Sequence, residues 1–191
     1  MNHGTKQQSR LRVTAQVLQT VARAMLPFYR KIAGNQPFAS KWTTAVVTAD
    51  LDLMGRMLST LPTLARQDDY GTNAIGYFIA FPFPLPVAYY TSGTTIPTGL
   101  VQFTFNTRAH RYVARSALPL YRKLAGSYTF ARSFAAALRR KDTGAVEAMV
   151  RRLIPTSALR TVTVADYGVF MSFKTRFSKY PYRNQLFREM M

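Results

Sequence analysis

A segment of fourteen residues occurs twice in this chain, and the two copies are 92 positions apart. VARAMLPFYRKIAG at 21–34 returns as VARSALPLYRKLAG at 113–126, with ten positions identical. The same offset continues without a gap through further identical pairs: Phe38/Phe130, Ala39/Ala131, Asp50/Asp142, Met57/Met149, Leu61/Leu153, Gly76/Gly168, Phe78/Phe170, Phe81/Phe173 and Tyr90/Tyr182. We therefore predict a duplicated unit of about 70 residues, with the two repeats in a pseudo-twofold arrangement.

The first helix of each copy is indicated by apolar residues at helical spacing, and it ends at a glycine, Gly34 or Gly126. Pro27 and Pro119 fall inside the pattern. Proline removes a helical hydrogen bond, so we expect each helix to break there and a short second helix to begin.

Two more helices are predicted in each copy. One spans 37–48 and 129–141, and the next begins after an N-cap, Asp50 or Asp142, whose carboxylate can accept hydrogen bonds from free backbone amides. That third helix presents an apolar face that is kept in both copies: Met54, Met57, Leu58 and Leu61, then Val146, Met149, Val150 and Leu153.

Strands are expected after the helices, because the hydrophobic period changes at 76–81 and again at 168–173. The Thr, Ser and Gly residues of 91–97 predict a turn inserted only in the first copy, followed by a strand over 100–105. Helices followed by short antiparallel strands predict an α+β fold. The two strand sets either pair into one sheet across the pseudo-twofold axis or belong to two separate small domains. The chain divides into a basic N-terminal extension with a helix start (1–20), repeat 1 (21–107) and a more basic repeat 2 (108–191).

Alternating prolines in 81–86 favour an extended segment at a sheet edge or outside the sheet. Such a segment is either a stiff edge that blocks unwanted pairing or an apolar arm that docks on a neighbouring molecule.

The net charge is +18, and it is uneven, because residues 1–92 carry nine basic and four acidic side chains and 93–191 carry seventeen and four. Such an excess predicts attraction to nucleic acid, another polyanion or an acidic protein. The candidate anion-binding residues are Arg23, Arg30, Lys31, Arg115, Arg122, Lys123, Arg139, Arg140, Arg151 and Arg152. The alternative is that these cations form a solvated face.

Aromatic and basic residues alternate over 170–187, a pattern that can stack single-stranded bases but that a strand with one buried face also produces. The chain has no cysteine, which excludes disulfides and thiolate chemistry. His110 has no acid nearer in sequence than Asp69 and Asp142. We expect no enzymatic activity, no cofactor and no metal site.

Residues 70–107 lack charge, but Pro82, Pro84 and Pro86 would break a membrane-spanning helix. We expect no membrane span and no signal peptide, because Arg23 interrupts the first apolar stretch. This favours synthesis in the cytoplasm.

The sequence favours a non-enzymatic structural protein that self-associates into a lattice, fibre, coat or inclusion. In composition alone it is similar to small, basic, Tyr-rich proteins of bacterial spore coats or parasporal inclusions. The predicted assembly contacts are Phe81, Pro82, Phe83, Pro84, Pro86, Tyr89, Tyr90, Phe177, Tyr180, Tyr182 and Phe187. The alternative function is sequence-nonspecific binding of nucleic acid or another polyanion.

Overall fold

The computed structural model describes residues 13–99 and 101–189. The first six elements are α1 (Ala15–Gly34), α2 (Gln36–Val47), α3 (Leu51–Leu58), β1 (Tyr70–Thr72), β2 (Gly76–Pro82) and β3 (Tyr89–Thr95). The next six are α4 (Thr107–Gly126), α5 (Tyr128–Arg139), α6 (Thr143–Leu153), β4 (Leu159–Ala165), β5 (Gly168–Phe173) and β6 (Tyr182–Glu189). The predicted α+β class is confirmed.

All six strands form one antiparallel sheet in the order β1-β2-β3-β6-β5-β4. One sheet face packs on the helices, as when Tyr77 of β2 lies edge-on to Phe28 of α1 with ring centroids 5.5 Å apart. Successive strand residues point to opposite faces. Phe78, Phe170 and Phe187 therefore lie on the other face, outside the core of the described residues, and we call this the open face.

Helix boundaries follow the predicted caps. The side chains of Asp50 and Asp142 accept hydrogen bonds from the backbone N–H groups of Leu53 and Ala145, at 2.8 and 3.0 Å. These bonds satisfy amides that the first turns of α3 and α6 leave free. Both predicted N-caps are confirmed.

The predicted breaks at Pro27 and Pro119 are wrong, because α1 and α4 each continue for 20 residues. The hydroxyl of Thr63 donates to the carbonyl of Ala24 at 2.8 Å, in the turn before Pro27. Phe28 is fully buried on the same helix. Burial of a large apolar side chain such as Phe28 stabilises the folded state by about 1.5–3 kcal/mol. Several such side chains on one helix offset the roughly 3 kcal/mol that an internal proline costs.

The strands at 76–81 and 168–173 are confirmed, but two neighbouring predictions are wrong. Residues 91–97 are not an inserted turn, because Tyr89–Thr95 is β3, which pairs with both β2 and β6. No strand forms over 101–105, and residue 100 lies outside the described residues. Gly93 suits β3 because a Cβ there would lie 2.1 Å from the Tyr77 carbonyl oxygen.

Of the two predicted places for the proline-rich segment, the sheet edge is wrong for Phe81 and Pro82, which close the inner strand β2, whereas residues 83–87 lie outside the sheet and form the turn to β3. Pro82 is tolerated because β1 reaches only to Ile79 in the β2 ladder. The missing proline N–H therefore removes no ladder bond on that side. Arg188 holds the turn by donating to the carbonyls of Pro86 and Val87, both at 2.9 Å.

α1 packs chiefly against α4, and each helix supplies an arginine to the other. Arg23 donates to the Ala125 carbonyl at 3.0 Å, and Arg115 donates to the Ala33 carbonyl at 3.0 Å. Both carbonyls lie in last helical turns, where they lack intrahelical partners and where the helix dipole favours positive charge. Among the described helices, none is long and apolar enough to cross a bilayer.

A cationic groove as the candidate functional site

An open groove of about 640 Å³ lies between α4 and the segments that flank β4 and β5. Its basic residues, which we call the groove cations, are Arg108, Arg111, Arg115, Arg160, Lys174 and Arg176. Gln36, Tyr112, Ser157, Ala158, Thr175 and Phe177 complete the lining. No acidic side chain belongs to this set of described residues. The groove therefore concentrates positive charge in a concave surface.

One wall of the groove is a face of α4. Arg108, Arg111 and Arg115 recur at i, i+3 and i+7, so their side chains lie on one side of the helix. Arg111 donates to the Gln36 side-chain oxygen at 2.8 Å and to the Ala33 carbonyl at 3.1 Å. These contacts fix the inner part of the wall, whereas Arg108 at its outer end is exposed.

The facing wall combines the start of β4 with the turn after β5. The Lys174 amide donates to the Ala158 carbonyl at 2.8 Å, which joins the two segments. The Lys174 ammonium donates to the carbonyls of Ser178 and Lys179 within its own turn. Arg160 and Arg176 are exposed on this wall.

The groove cations have no carboxylate partner among the described residues, whose ion pairs are Arg140–Asp142 and Arg151–Glu147. The buried Nε of Arg111 also lacks a hydrogen-bond acceptor in that part of the chain. A buried donor without a partner is costly, as is a set of like charges held close together. An anion in the groove would offset the repulsion among these like charges.

Arg115 is the one predicted anion-binding residue that lines this groove. Several others donate within the chain: Arg23 to Ala125, Arg139 to Val13, and Arg151 to Glu147, Leu159 and Arg160, while Arg140 is 3.8 Å from Asp142. The remaining predicted cations are exposed on other surfaces: Arg30, Lys31, Arg122, Lys123 and Arg152.

The predicted assembly contacts are divided among four places. Phe81, Tyr90 and Tyr182 are buried in the chain's own core, at most 7% exposed, which leaves little surface for a partner. Pro82, Tyr89 and Phe187 lie on the open face. Phe83, Pro84 and Pro86 lie in the turn after β2, whereas Phe177 lines the groove and Tyr180 is half-buried near it.

A separate polar cluster is buried between the helices and the sheet centre. The hydroxyls of Tyr29 and Tyr121 both bond Ser92, at 3.0 and 2.8 Å, and both bond the Asn184 amide, at 3.1 and 3.2 Å. Burial raises the pKa of both tyrosines, which keeps their hydroxyls protonated. The polar groups of this cluster form their hydrogen bonds with one another, so we assign the cluster to the core and not to a ligand site.

His110 is buried beside this cluster and supplies the one imidazole among the described residues that could be considered for catalysis. Its Nε2 is 2.8 Å from the Tyr77 hydroxyl, and its Nδ1 has no partner among the described residues. Burial lowers the pKa of His110 to about 3. The described residues also contain no group of three or more His, Cys, Asp or Glu side chains close enough to share a metal ion.

The sequence-based anion-binding candidates omit five of the six groove cations: Arg108, Arg111, Arg160, Lys174 and Arg176. Lys174 and Arg176 belong only to the alternating basic and aromatic stretch 170–187. A signal for one wall exists, because Arg108, Arg111 and Arg115 have helical spacing. Arg160 offers no such signal, since it lies 34 positions after Gly126, the end of α4, and reaches the groove only through the path of β4.

Comparison with known proteins identifies no relative: no protein-family model, curated protein or solved structure matches the chain.

Proposed function

We propose that this protein binds nucleic acid through its phosphate backbone, without sequence readout and without catalysis. The groove cations carry the proposal, because six basic side chains converge on one concavity whose described lining contains no acid. Arginine suits this role, since its planar guanidinium can donate two parallel hydrogen bonds to a phosphate. Contacts of this kind give affinity and orientation but little discrimination between bases.

We also propose that the chain is a fused pair of repeats related by a pseudo-twofold axis. The central ladder supports this, because Gly93 pairs with Gln185 and these positions are themselves 92 apart. The buried cluster supports it as well, since Tyr29 and Tyr121 share the offset, as do Ser92 and Asn184. The reciprocal hydrogen bonds also share the offset, because Arg23 and Arg115 are 92 positions apart, as are their acceptors Ala33 and Ala125.

The duplication supplies an internal comparison for the groove. At the offset of 92, Arg108 and Arg111 correspond to Gln16 and Gln19, Arg160 to Asp68, and Lys174 and Arg176 to Pro82 and Pro84. Only Arg115 has a basic counterpart, Arg23. The net charge of the six positions is therefore +6 in one repeat and zero in the other. The first repeat forms its helices and strands without these charges, which favours a binding role over a folding role for them.

The test is the salt dependence of binding to a fluorescent oligonucleotide, measured by polarisation. We expect the affinity to fall steeply with salt, with a slope of about −0.7 per phosphate contact for a single strand. Replacing Arg108 and Arg160 by Gln should reduce that slope by about 1.4, because two phosphate contacts are lost.

The matched control replaces Arg56 and Arg66 by Gln, which removes the same charge from exposed positions away from the groove. This variant should bind nearly as well as the unmodified chain, and both variants should keep its thermal unfolding temperature. Equal losses in the two variants would mean that net charge alone, and not the groove, drives binding. Binding that does not respond to salt would contradict the proposal altogether.

Self-assembly is a second candidate, and the open face favours it. Phe78 is 37% exposed there, and Phe170 lies on Phe187 with ring centroids 5.3 Å apart. A contiguous patch of exposed apolar side chains is typical of surfaces that pack against another molecule. Scattering particles that persist in high salt, and that disappear when Phe78 and Phe170 are replaced by Thr, would support assembly. A monomer at all salt concentrations would exclude it.

A further inference from the structure

Two aromatic rings lie among the groove cations. Tyr112 projects from α4 and Phe177 from the turn after β5, and their ring centroids are 6.3 Å apart with an interplanar angle of 56°. The guanidinium carbon of Arg176 is 5.0 Å from the Phe177 centroid. Both rings are half-buried, so each keeps part of its surface open to the groove. Aromatic rings and arginine planes are the surfaces on which unpaired bases stack.

The rings are fixed in place by the surrounding chain. The Tyr112 hydroxyl bonds the hydroxyl of Thr156, in the segment between α6 and β4, at 2.9 Å. The Phe177 amide donates to the Thr175 side chain at 3.2 Å, which holds the turn that presents the ring. A stacking surface that is held before binding loses little conformational freedom when a base arrives.

The aromatic pair occurs only in the half of the chain that carries the groove cations. At the offset of 92, Tyr112 corresponds to Thr20 and Phe177 to Leu85. Leu85 is 81% exposed, so that place in the other half does not require an aromatic side chain for packing. Charge and stacking surface are therefore present together in one half and absent together from the other.

Phosphate contacts alone would serve single strands and duplexes equally. Within a duplex, however, the faces of the bases are already stacked on each other, and exposing one costs a few kcal/mol. We infer that the groove binds single-stranded nucleic acid in preference to duplex, with bases stacking on Phe177 and Tyr112 while the groove cations contact the phosphates. This inference rests on the proposed function and specifies its ligand.

The experiment measures dissociation constants of the full chain for oligo(dT) of about 15 nucleotides, near the upper end of known single-strand site sizes, and for a mixed-sequence duplex of equal length. Phe177→Leu copies the counterpart residue Leu85, and Phe177→Tyr keeps an aromatic ring. We expect Phe177→Leu to weaken oligo(dT) binding at least about fivefold and to weaken duplex binding by a clearly smaller factor. Phe177→Tyr should retain the affinity for oligo(dT).

A second measurement separates stacking from charge. In Phe177→Trp, the new indole should be quenched by oligo(dT) and not by the duplex, whereas the native Trp42 is fully buried. Thermal unfolding of each variant shows whether it remains folded.

Equal affinity for both probes, with Phe177→Leu as active as the unmodified chain, would overturn the inference and leave phosphate-backbone binding in place. Failure to bind either probe at low salt would overturn the proposed function itself.

Discussion

Acidification should destabilise this protein through a single buried side chain, His110. The imidazole is fully buried, and burial lowers its pKa to about 3. Its contacts are aromatic or neutral: the Tyr77 hydroxyl, the ring of Tyr77 and the ring of Phe105. Protonation would place a charge in this apolar surrounding with no acceptor for Nδ1 among the described residues. The folded state therefore keeps His110 neutral.

The size of the effect follows from the difference in proton binding between the two states. In the unfolded chain, His110 titrates with its ordinary pKa of 6.5. Below that value the unfolded state binds a proton that the folded state does not, so the free energy of unfolding falls by about 1.4 kcal/mol per pH unit. Between pH 7 and pH 5 the expected loss is about 2 kcal/mol. The loss stops as the pH passes below the folded-state pKa of about 3, where both states are protonated.

Urea unfolding followed by circular dichroism at pH 7 and pH 5 measures this loss. The control is His110→Gln, whose amide can still accept a hydrogen bond from Tyr77 but does not titrate. This variant should lose about 2 kcal/mol less than the unmodified chain over the same interval, because carboxylate titration is common to both proteins. Equal losses in the two proteins would refute the assignment to His110.

Two further predictions concern the sheet centre. Gly93→Ala should destabilise the protein by about 3 kcal/mol, because its Cβ would lie 2.1 Å from the Tyr77 carbonyl oxygen. At Gly34 a new Cβ would have no atom within 4 Å apart from its chain neighbours and its own helix backbone, so Gly34→Ala should change stability by less than about 0.5 kcal/mol. Thermal unfolding distinguishes them, and equal effects would contradict the assigned strand contact. Asn184→Leu should lower the free energy of unfolding by about 1–3 kcal/mol, because the buried hydroxyls of Tyr29 and Tyr121 each lose one hydrogen bond and keep Ser92 as a partner. Urea unfolding should show that Tyr29→Phe costs less. A neutral Asn184→Leu would mean that the buried cluster is not held by these bonds.

Local signals in the sequence were sufficient for the helices and their starts. Asp50 and Asp142 have capping chemistry that acts within four residues, so no tertiary information was needed to identify them. Prolines misled the same reasoning, because the cost of Pro27 is local whereas the burial that offsets it depends on packing against the rest of the chain. The low helix propensity of proline is overridden where the helix buries a large apolar surface against the rest of the chain.

Long-range pairing explains the remaining differences. The composition of 91–97 is typical of a turn, but its small side chains suit a strand between two neighbours, where Gly93 lets β2 approach closely. The groove could not be predicted from the sequence for a related reason. Its walls come from α4 and from the strands after α6, and their approach depends on the whole sheet order and not on any local pattern.

The arginines exchanged between α1 and α4 couple the folding of the two halves of the chain. If one half unfolded alone, the other would lose the donor to its last-turn carbonyl, at Ala33 or Ala125, together with its neighbour across the β3–β6 ladder. Neither half could then retain its native free energy. Partial unfolding is therefore disfavoured, and the chain should lose structure in one cooperative, two-state transition.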